Sequence, residues 1–362
     1  MKLENQNILI VSNEPWGDVW YSKQNWAYEL SKRKNNVFFI NSPKRWSIKG
    51  LFSTWIRKYN YSDYLVILDY ENRLPFTRYG LISRLNEYLV SNSLRRWLKN
   101  QDITDYLFWS FDPYRFVNPK LLRPKRSIYM RVDRYQTSTE VELLKNIDCI
   151  IVTAKELIKE INYSGKYLVL SHGISEEEFS QTEDISYSEG YFIYVGNIDL
   201  RLDVDLIKKM VCHFPKKTFL FIGSINSTKN LIYKELFIEK RYKNIILHGV
   251  EHFKNLKNYI YYSKACIAPM DLTIHGNDVH HHKSLQYLAM GKPIISPKFK
   301  DAVNEGNMML YYTNHDEAID LLENLDISEN SQLITDRITF AKQFTYNNLI
   351  NKVEQFLTES AN

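Results

Sequence analysis

The sequence predicts an α/β protein built from two Rossmann-like halves, each a parallel sheet covered by helices. Three observations predict it. Short apolar runs alternate with amphipathic stretches along the whole chain, the alternation is interrupted once by a polar stretch, and 362 residues exceed a typical single domain.

The first series of apolar runs is Ile8–Ser12, Val37–Asn41, Tyr64–Asp69, Tyr106–Ser110, Ile128–Val132, Cys149–Thr153 and Tyr167–Ser171. Each is strand-length and almost continuously apolar, as strands covered on both faces must be. Gln24–Lys32, between the first two, reads as the first crossover helix. The second series is Tyr191–Gly196, Thr218–Gly223, Ile245–Gly249, Ala265–Pro269, Pro293–Ser296 and Met309–Tyr311. Between the series, Ser175–Gly190 is rich in Glu and Ser and poor in apolar residues, the composition of a linker. The expected division is a first domain over 1–172, a linker over 173–190 and a second domain over 191–341.

Composition excludes several classes. The 47 Lys and Arg against 42 Asp and Glu leave only +5, too little to imply nucleic acid. Cys149, Cys212 and Cys266 have no metal-ligand spacing and read as reduced, packed thiols of a cytoplasmic protein. The apolar run Ile8–Val11 is far shorter than a signal-peptide core, and no run is long enough to span a membrane, so neither secretion by that route nor a membrane span is expected. Lys44–Lys58 carries five basic residues, no acid, and Trp46, Phe52 and Trp55. That interleaving suits peripheral attachment to an anionic membrane surface, and equally an ordinary solvated helix. Leu94–Lys99 with Trp97 adds a second basic stretch.

The richest segment is Asp278–Ser296, a polar loop, a short helix, a Gly-Lys-Pro stop and a buried strand. Leu285, Leu288 and Ala289 form one apolar stripe, with His282, Lys283 and Gln286 on another face. Gly291 ends the helix and Pro293 prevents its return. Free N–H groups at Val279, His280 and His281, with Lys283 nearby, suit a phosphate-bearing ligand. A zinc site among His275 and His280–His282 is the weaker reading, because adjacent side chains diverge and no second ligand pair completes it.

The segment resembles the donor-binding signature of family 4 glycosyltransferases of the GT-B fold, an acidic residue, seven others and a glutamate leading into an EYLAxGKPVV-type run. In particular it is similar to bacterial transferases of the teichuronic-acid, surface-polysaccharide type, which share a first-loop tryptophan, here Trp16, and an I-D-x-R-x-D run, here Ile198–Asp203. Tyr194–Ile207 resembles the opening of the family's donor domain, Leu170–Phe179 its crossover, and Phe344–Leu357 its terminal helix. The resemblance implies two domains facing across a cleft, with the nucleotide-sugar donor on the second and a saccharide or lipid-linked acceptor on the first. It also implies that 342–362 returns to the first domain, that anomeric configuration is retained, and that no cofactor or essential metal is used.

Site residues follow from the same resemblance. Asp278 stands where the family contacts donor-sugar hydroxyls. Gln286 stands where a glutamate holds the ribose diol, a departure that removes a charge. Asn197 and Arg201 follow a strand at its carboxyl end, where Arg201 would neutralise the departing β-phosphate or merely pair with Asp199 or Asp203. The family's later lysine is replaced by Leu202 and Asp203. Gly249 and Val250 match a backbone contact to the base. Asp203-Val204-Asp205 spells D-x-D, but at a helix start, where capping by Asp203 is the stronger reading. In the first half, Gly17 would let backbone approach a phosphate or simply turn the chain. Asp133, after Arg131, would orient a sugar or acceptor hydroxyl or cap a loop. His172-Gly173 reads as structural. A non-catalytic GT-B scaffold and a nucleotide-sugar epimerase are the rival functions; an epimerase would turn over donor without acceptor, and a scaffold would bind no nucleotide.

Overall fold

The computed structural model describes residues 1–17, 20–44, 46–48, 56–135, 137–180, 182–188, 190–226, 229–274, 283–299 and 308–359. The chain forms two compact units, Met1–Ser171 with Asn347–Asn362, and His172–Tyr346.

Unit 1 contains an eight-stranded sheet among the described residues. Its strands are β1 (Asn7–Val11), β2 (Asn36–Ile40), β3 (Ile56–Ser62), β4 (Leu65–Tyr70), β5 (Leu107–Ser110), β6 (Arg126–Arg131), β7 (Cys149–Val152) and β8 (Lys166–Val169). Their order is β3-β4-β2-β1-β5-β6-β7-β8, and every neighbouring pair is parallel except β3 with β4. Continuous burial of Ile8–Val11 and Val37–Ile40 explains why neither strand alternates in sequence. The helix Ser22–Lys32 buries Trp26, Ala27 and Leu30. The terminal helix Tyr346–Glu359 buries Leu349, Ile350, Val353 and Leu357, and unit 1 holds it through Arg33 to Glu354 at 3.2 Å and the Arg126 guanidinium to the Leu357 carbonyl at 2.6 Å.

The hairpin β3–β4 lies outside the expected pattern. All of β3 after Ile56 is exposed, so no apolar period marks it, and it ends the sheet as an edge carrying Arg57 and Lys58. The stretch 44–58 is therefore not one helix. Lys44 forms a bridge with Glu71 and an ion pair with Asp69 at 2.7 Å, the Trp46 indole donates to the Arg73 carbonyl at 3.3 Å, and Ile56–Lys58 already belong to β3. Arg45 and residues 49–55 lie outside the described residues.

Unit 2 has six strands among the described residues, all neighbours parallel, in the order β11-β10-β9-β12-β13-β14. They are β9 (Phe192–Val195), β10 (Phe219–Ile222), β11 (Ile245–Gly249), β12 (Ala265–Ile267), β13 (Ile294–Pro297) and β14 (Met309–Tyr312). Phe192 and Tyr194 enter one apolar cluster while Ile193 and Val195 enter another, so successive side chains of β9 bury on opposite faces. The stretch 173–190 belongs to unit 2 and is packed on it, with Phe179, Ile185 and Tyr187 against the second cluster.

Cys149 and Cys266 are buried, which pushes both thiols up to about 12, whereas Cys212 is exposed, against the expectation that all three are packed. Among the described residues no helix is long and apolar enough to cross a membrane.

Candidate functional site

The carboxyl ends of the strands of unit 2 are stitched together by backbone. After β9, Ile198 pairs with Ile225 beyond β10, and the Asp203 amide donates to the Pro269 carbonyl beyond β12 at 2.8 Å. The Gly223 amide donates to the Gly249 carbonyl at 2.7 Å. A Cβ on Gly223 would collide with the Gly196 carbonyl oxygen, so the two strand ends approach this closely only because position 223 has no side chain. Gly249 adopts φ +91°, and Val250, which follows it, is exposed. Asn197 is exposed and its Oδ1 accepts from the Ser224 hydroxyl at 2.9 Å.

The helix Lys283–Ala289 docks onto this edge. The Val195 amide donates to the Tyr287 hydroxyl at 2.8 Å, and every residue from Ser284 to Ala289 is buried. Gly291, at φ +69°, ends the helix, and a Cβ there would strike Ile334. Gln286 is thus not on a solvated face. It is 9% exposed, and its Nε2 donates to Glu178 Oε1 at 2.9 Å while its Oε1 finds no partner among the described residues. Glu178, itself 7% exposed, comes from the turn Glu176–Phe179, and burial raises its carboxyl pKa against the opposing influence of Gln286 and Lys283. Burial also pushes the Lys283 ammonium down to about 8, opposed by Glu178. A carboxylate, an amide and an ammonium converge here with one acceptor unused, a set able to receive a hydroxyl-bearing, anionic ligand.

Arg201 makes the pairing expected of its bland reading, with Nη2 2.8 Å and Nε 3.0 Å from the two carboxylate oxygens of Asp199. Its side chain is still 43% exposed. Asp203 caps the helix Val204–His213 by accepting from the Leu206 amide at 2.9 Å and meets His315 Nε2 at 2.8 Å, so capping displaces D-x-D.

In unit 1 the strand ends close on Arg115, which sequence reasoning passed over. Its guanidinium donates to the carbonyls of Ser12 at 2.5 Å and Asn41 at 3.2 Å and to the Tyr70 hydroxyl at 3.0 Å, and its Nε to Asp112 Oδ2 at 2.5 Å. Arg131 is similarly consumed, 1% exposed and bonded to Glu140 at 2.8 Å. Asp133 is exposed in the following loop, and Gly17 is exposed with open space where a Cβ would lie.

Comparison with known proteins then bears on the whole. No family model matches the chain. It is 25% identical over 198 residues to TuaH of Bacillus subtilis (strain 168), named as a teichuronic acid biosynthesis glycosyltransferase, an alignment covering 51% of this chain and 49% of that protein. The chain therefore spans about half the length of the curated relative it matches. Among solved structures it is similar to a sucrose-phosphate synthase from Thermosynechococcus elongatus, with TM-score 0.69, 13% identity and 98% of each chain covered. Anabaena Alr3699/HepE in complex with UDP and glucose gives TM-score 0.68 at 12% identity, covering 98% of this chain and 99% of that one. The fold is GT-B.

Of the residues that the sequence nominated for a GT-B donor site, Asn197, Arg201, Gly249, Val250, Lys283 and Gln286 all belong to unit 2, on the loops and the helix at its strand carboxyl ends. Asp278, Val279, His280 and His281 lie outside the described residues. Gly17 and Asp133 belong to unit 1. Glu178 was missed, because in a stretch read as linker a run of glutamates looks solvated, and its burial depends on Gln286, 108 positions away.

Proposed function

We propose that the protein is a glycosyltransferase that moves a sugar from a nucleotide-diphosphate donor, held by unit 2, to a saccharide or lipid-linked acceptor taken by unit 1, in assembly of a bacterial surface polysaccharide. The observation that carries this reading is the Glu178–Gln286–Lys283 cluster beside the glycine-lined strand ends of a GT-B unit, since an unused buried acceptor next to a carboxylate suits a sugar hydroxyl. The TuaH relative supports the reaction class. In this reading Glu178 supplies the carboxylate that Gln286 lacks, and the pair receives the ribose diol. Gly249 and Val250 offer backbone to the base. Arg201, Asn197, Lys283 and the N–H groups of Val279, His280 and His281 surround the diphosphate, and Asp278 meets the donor sugar. Gly17 admits a phosphate closely, and Asp133 orients the acceptor. Charge on the leaving group is stabilised by fixed donors, so transfer needs no metal or other cofactor, and the family resemblance implies that it retains the anomeric configuration. The setting is cytoplasmic, at the inner face of the cell membrane.

Calorimetric titration tests the donor site. Gln286→Ala weakens nucleoside-diphosphate binding by about 1–2 kcal/mol, roughly 5- to 30-fold. Asp278→Ala weakens binding of the complete sugar nucleotide more than that of the bare diphosphate. Unaltered affinities in both variants would favour a scaffold, donor turnover without acceptor an epimerase, and activity lost in EDTA and restored by manganese would remove the metal-free mechanism.

A further inference from the structure

The helix Gly80–Asn100 of unit 1 wears part of its apolar surface outward. Its inner face is conventional, burying Val90, Leu94 and Leu98, with Trp97 edge-on to Phe38 at 6.2 Å. In its first half the arrangement inverts. Asn86 is buried, where its Oδ1 accepts from the amides of Arg73 at 2.7 Å and Leu74 at 3.0 Å. Leu81, Leu85 and Tyr88 are 83%, 53% and 50% exposed. At 100° per residue these three share a narrow arc with Asn92, Arg96 and Lys99, so one outward stripe is apolar for its first half and cationic for its second. The preceding loop, pinned by Asn86, adds Phe76, 65% exposed at φ +57°, and Tyr79, 52% exposed. A bulky residue in left-handed backbone is costly, and here it leaves most of the side chain in solvent.

Charge decides what covers such a stripe. The helix has Arg84, Arg95, Arg96 and Lys99 against one acid of its own, Glu87, and Arg78 precedes it; Arg84 is paired with Glu142 of a neighbouring helix at 3.4 Å, which leaves Arg78, Arg96 and Lys99 beside the stripe. Glu87 does not offset them at the surface, since it accepts from the Asn118 amide at 2.8 Å and burial pushes its carboxyl up to about 7. An apolar patch bordered by cations on a long surface helix matches the interface of a bilayer containing anionic lipid.

We propose that Phe76, Tyr79, Leu81, Leu85 and Tyr88, with Arg78, Arg96 and Lys99, form the surface by which unit 1 lies on an anionic membrane. This goes beyond the donor-site reading and moves the contact away from Lys44–Lys58, whose first cation is already spent on Asp69. A lipid-linked acceptor would then meet unit 1 where the lipid is.

Co-sedimentation of the full chain with vesicles of phosphatidylglycerol and phosphatidylcholine, and with phosphatidylcholine alone, tests it. The protein is expected to bind the anionic vesicles, to release as salt rises, and to bind neutral ones weakly. Leu81→Ser with Leu85→Ser and Tyr88→Ser should lower anionic-vesicle binding about tenfold or more, and Arg96→Ser with Lys99→Ser should remove most of the salt dependence. Leu81→Ser alone, at the most exposed position, should show a smaller loss if the triple variant does not fold. The inference is overturned if the protein ignores anionic vesicles, binds neutral ones equally, or binds as well with the three apolar residues replaced. It is also overturned if their replacement abolishes only self-association, which would make a second copy the occupant. UDP titration of the same variants separates the two proposals, because the donor site lies in unit 2 and its affinity should not change.

Discussion

In unit 1 the carboxyl ends of β1, β2, β4 and β5 converge on one guanidinium, whereas in unit 2 the ends of β9, β10 and β11 converge on Gly196, Gly223 and Gly249. The same sheet edge is closed by a side chain in one case and left open by the lack of side chains in the other. Arg115 donates to Ser12, Asn41, Tyr70 and Asp112 at once. The edge of unit 2 has an acceptor on Gln286 unused among the described residues, an exposed Asn197 and a half-exposed Arg201. The difference teaches which edge keeps polar groups to offer: the strand ends of unit 2 do, whereas those of unit 1 are taken up by the Arg115 clamp.

The largest way to break the comparison is to remove the clamp. Arg115→Met leaves Asp112, which is fully buried, without its cation, and breaking a buried pair by removing one partner costs about 3–5 kcal/mol. All seven tryptophans lie in unit 1, so tryptophan fluorescence follows that unit alone during urea unfolding. The fluorescence midpoint should fall steeply while UDP affinity holds. An unmoved midpoint would mean that the guanidinium is dispensable to the edge.

A smaller effect sharpens the other side. Gly249→Ala meets no atom but must hold left-handed backbone, at about 1–2 kcal/mol, whereas Gly223→Ala adds a collision with the Gly196 carbonyl and should cost about 3 kcal/mol. Both should lower the circular-dichroism transition of unit 2 and leave the tryptophan transition in place. Equal losses would show that close approach of the strand ends contributes nothing beyond backbone strain.

These residues also mark how far the sequence alone could be read. The buried parallel strands were legible because both faces are covered, so runs such as Ile8–Val11 and Phe192–Val195 stay apolar throughout. β3 was not, since Arg-Lys-Tyr-Asn-Tyr-Ser after Ile56 is exposed and the strand is set by pairing with β4 and by Tyr61 against Trp16, contacts that no apolar period announces. Gly249 and Gln286 stood out through resemblance, whereas Gly196 and Gly223 were visible only as the ends of strand-like runs. Glu178 and Arg115 did not, because a polar residue's burial is set by what the rest of the chain wraps around it. Glu178 meets Gln286 across 108 positions, and Arg115 meets Ser12 across 103.

Lys283 supplies the finest test of the open edge, through pH. Burial holds its ammonium at about 8 rather than the ordinary 10.5, so the charge offered to a diphosphate disappears as pH rises from 7 to 9. UDP affinity should fall over that interval by roughly 3- to 10-fold, the scale of one charged hydrogen bond partly lost. Unfolding through Lys283 cannot produce this fall. Because the folded pKa is depressed, the unfolded chain binds more protons between about 8 and 10.5, and this group's contribution to stability improves as pH rises through that window. Lys283→Met should therefore bind UDP more weakly at pH 7 and show little further loss by pH 9, while Gln286→Ala should be weaker at both and keep the slope. A slope that survives in Lys283→Met would assign the titration to another group and detach Lys283 from the diphosphate, leaving Glu178 and Gln286 as the proposed nucleotide contacts of the open edge.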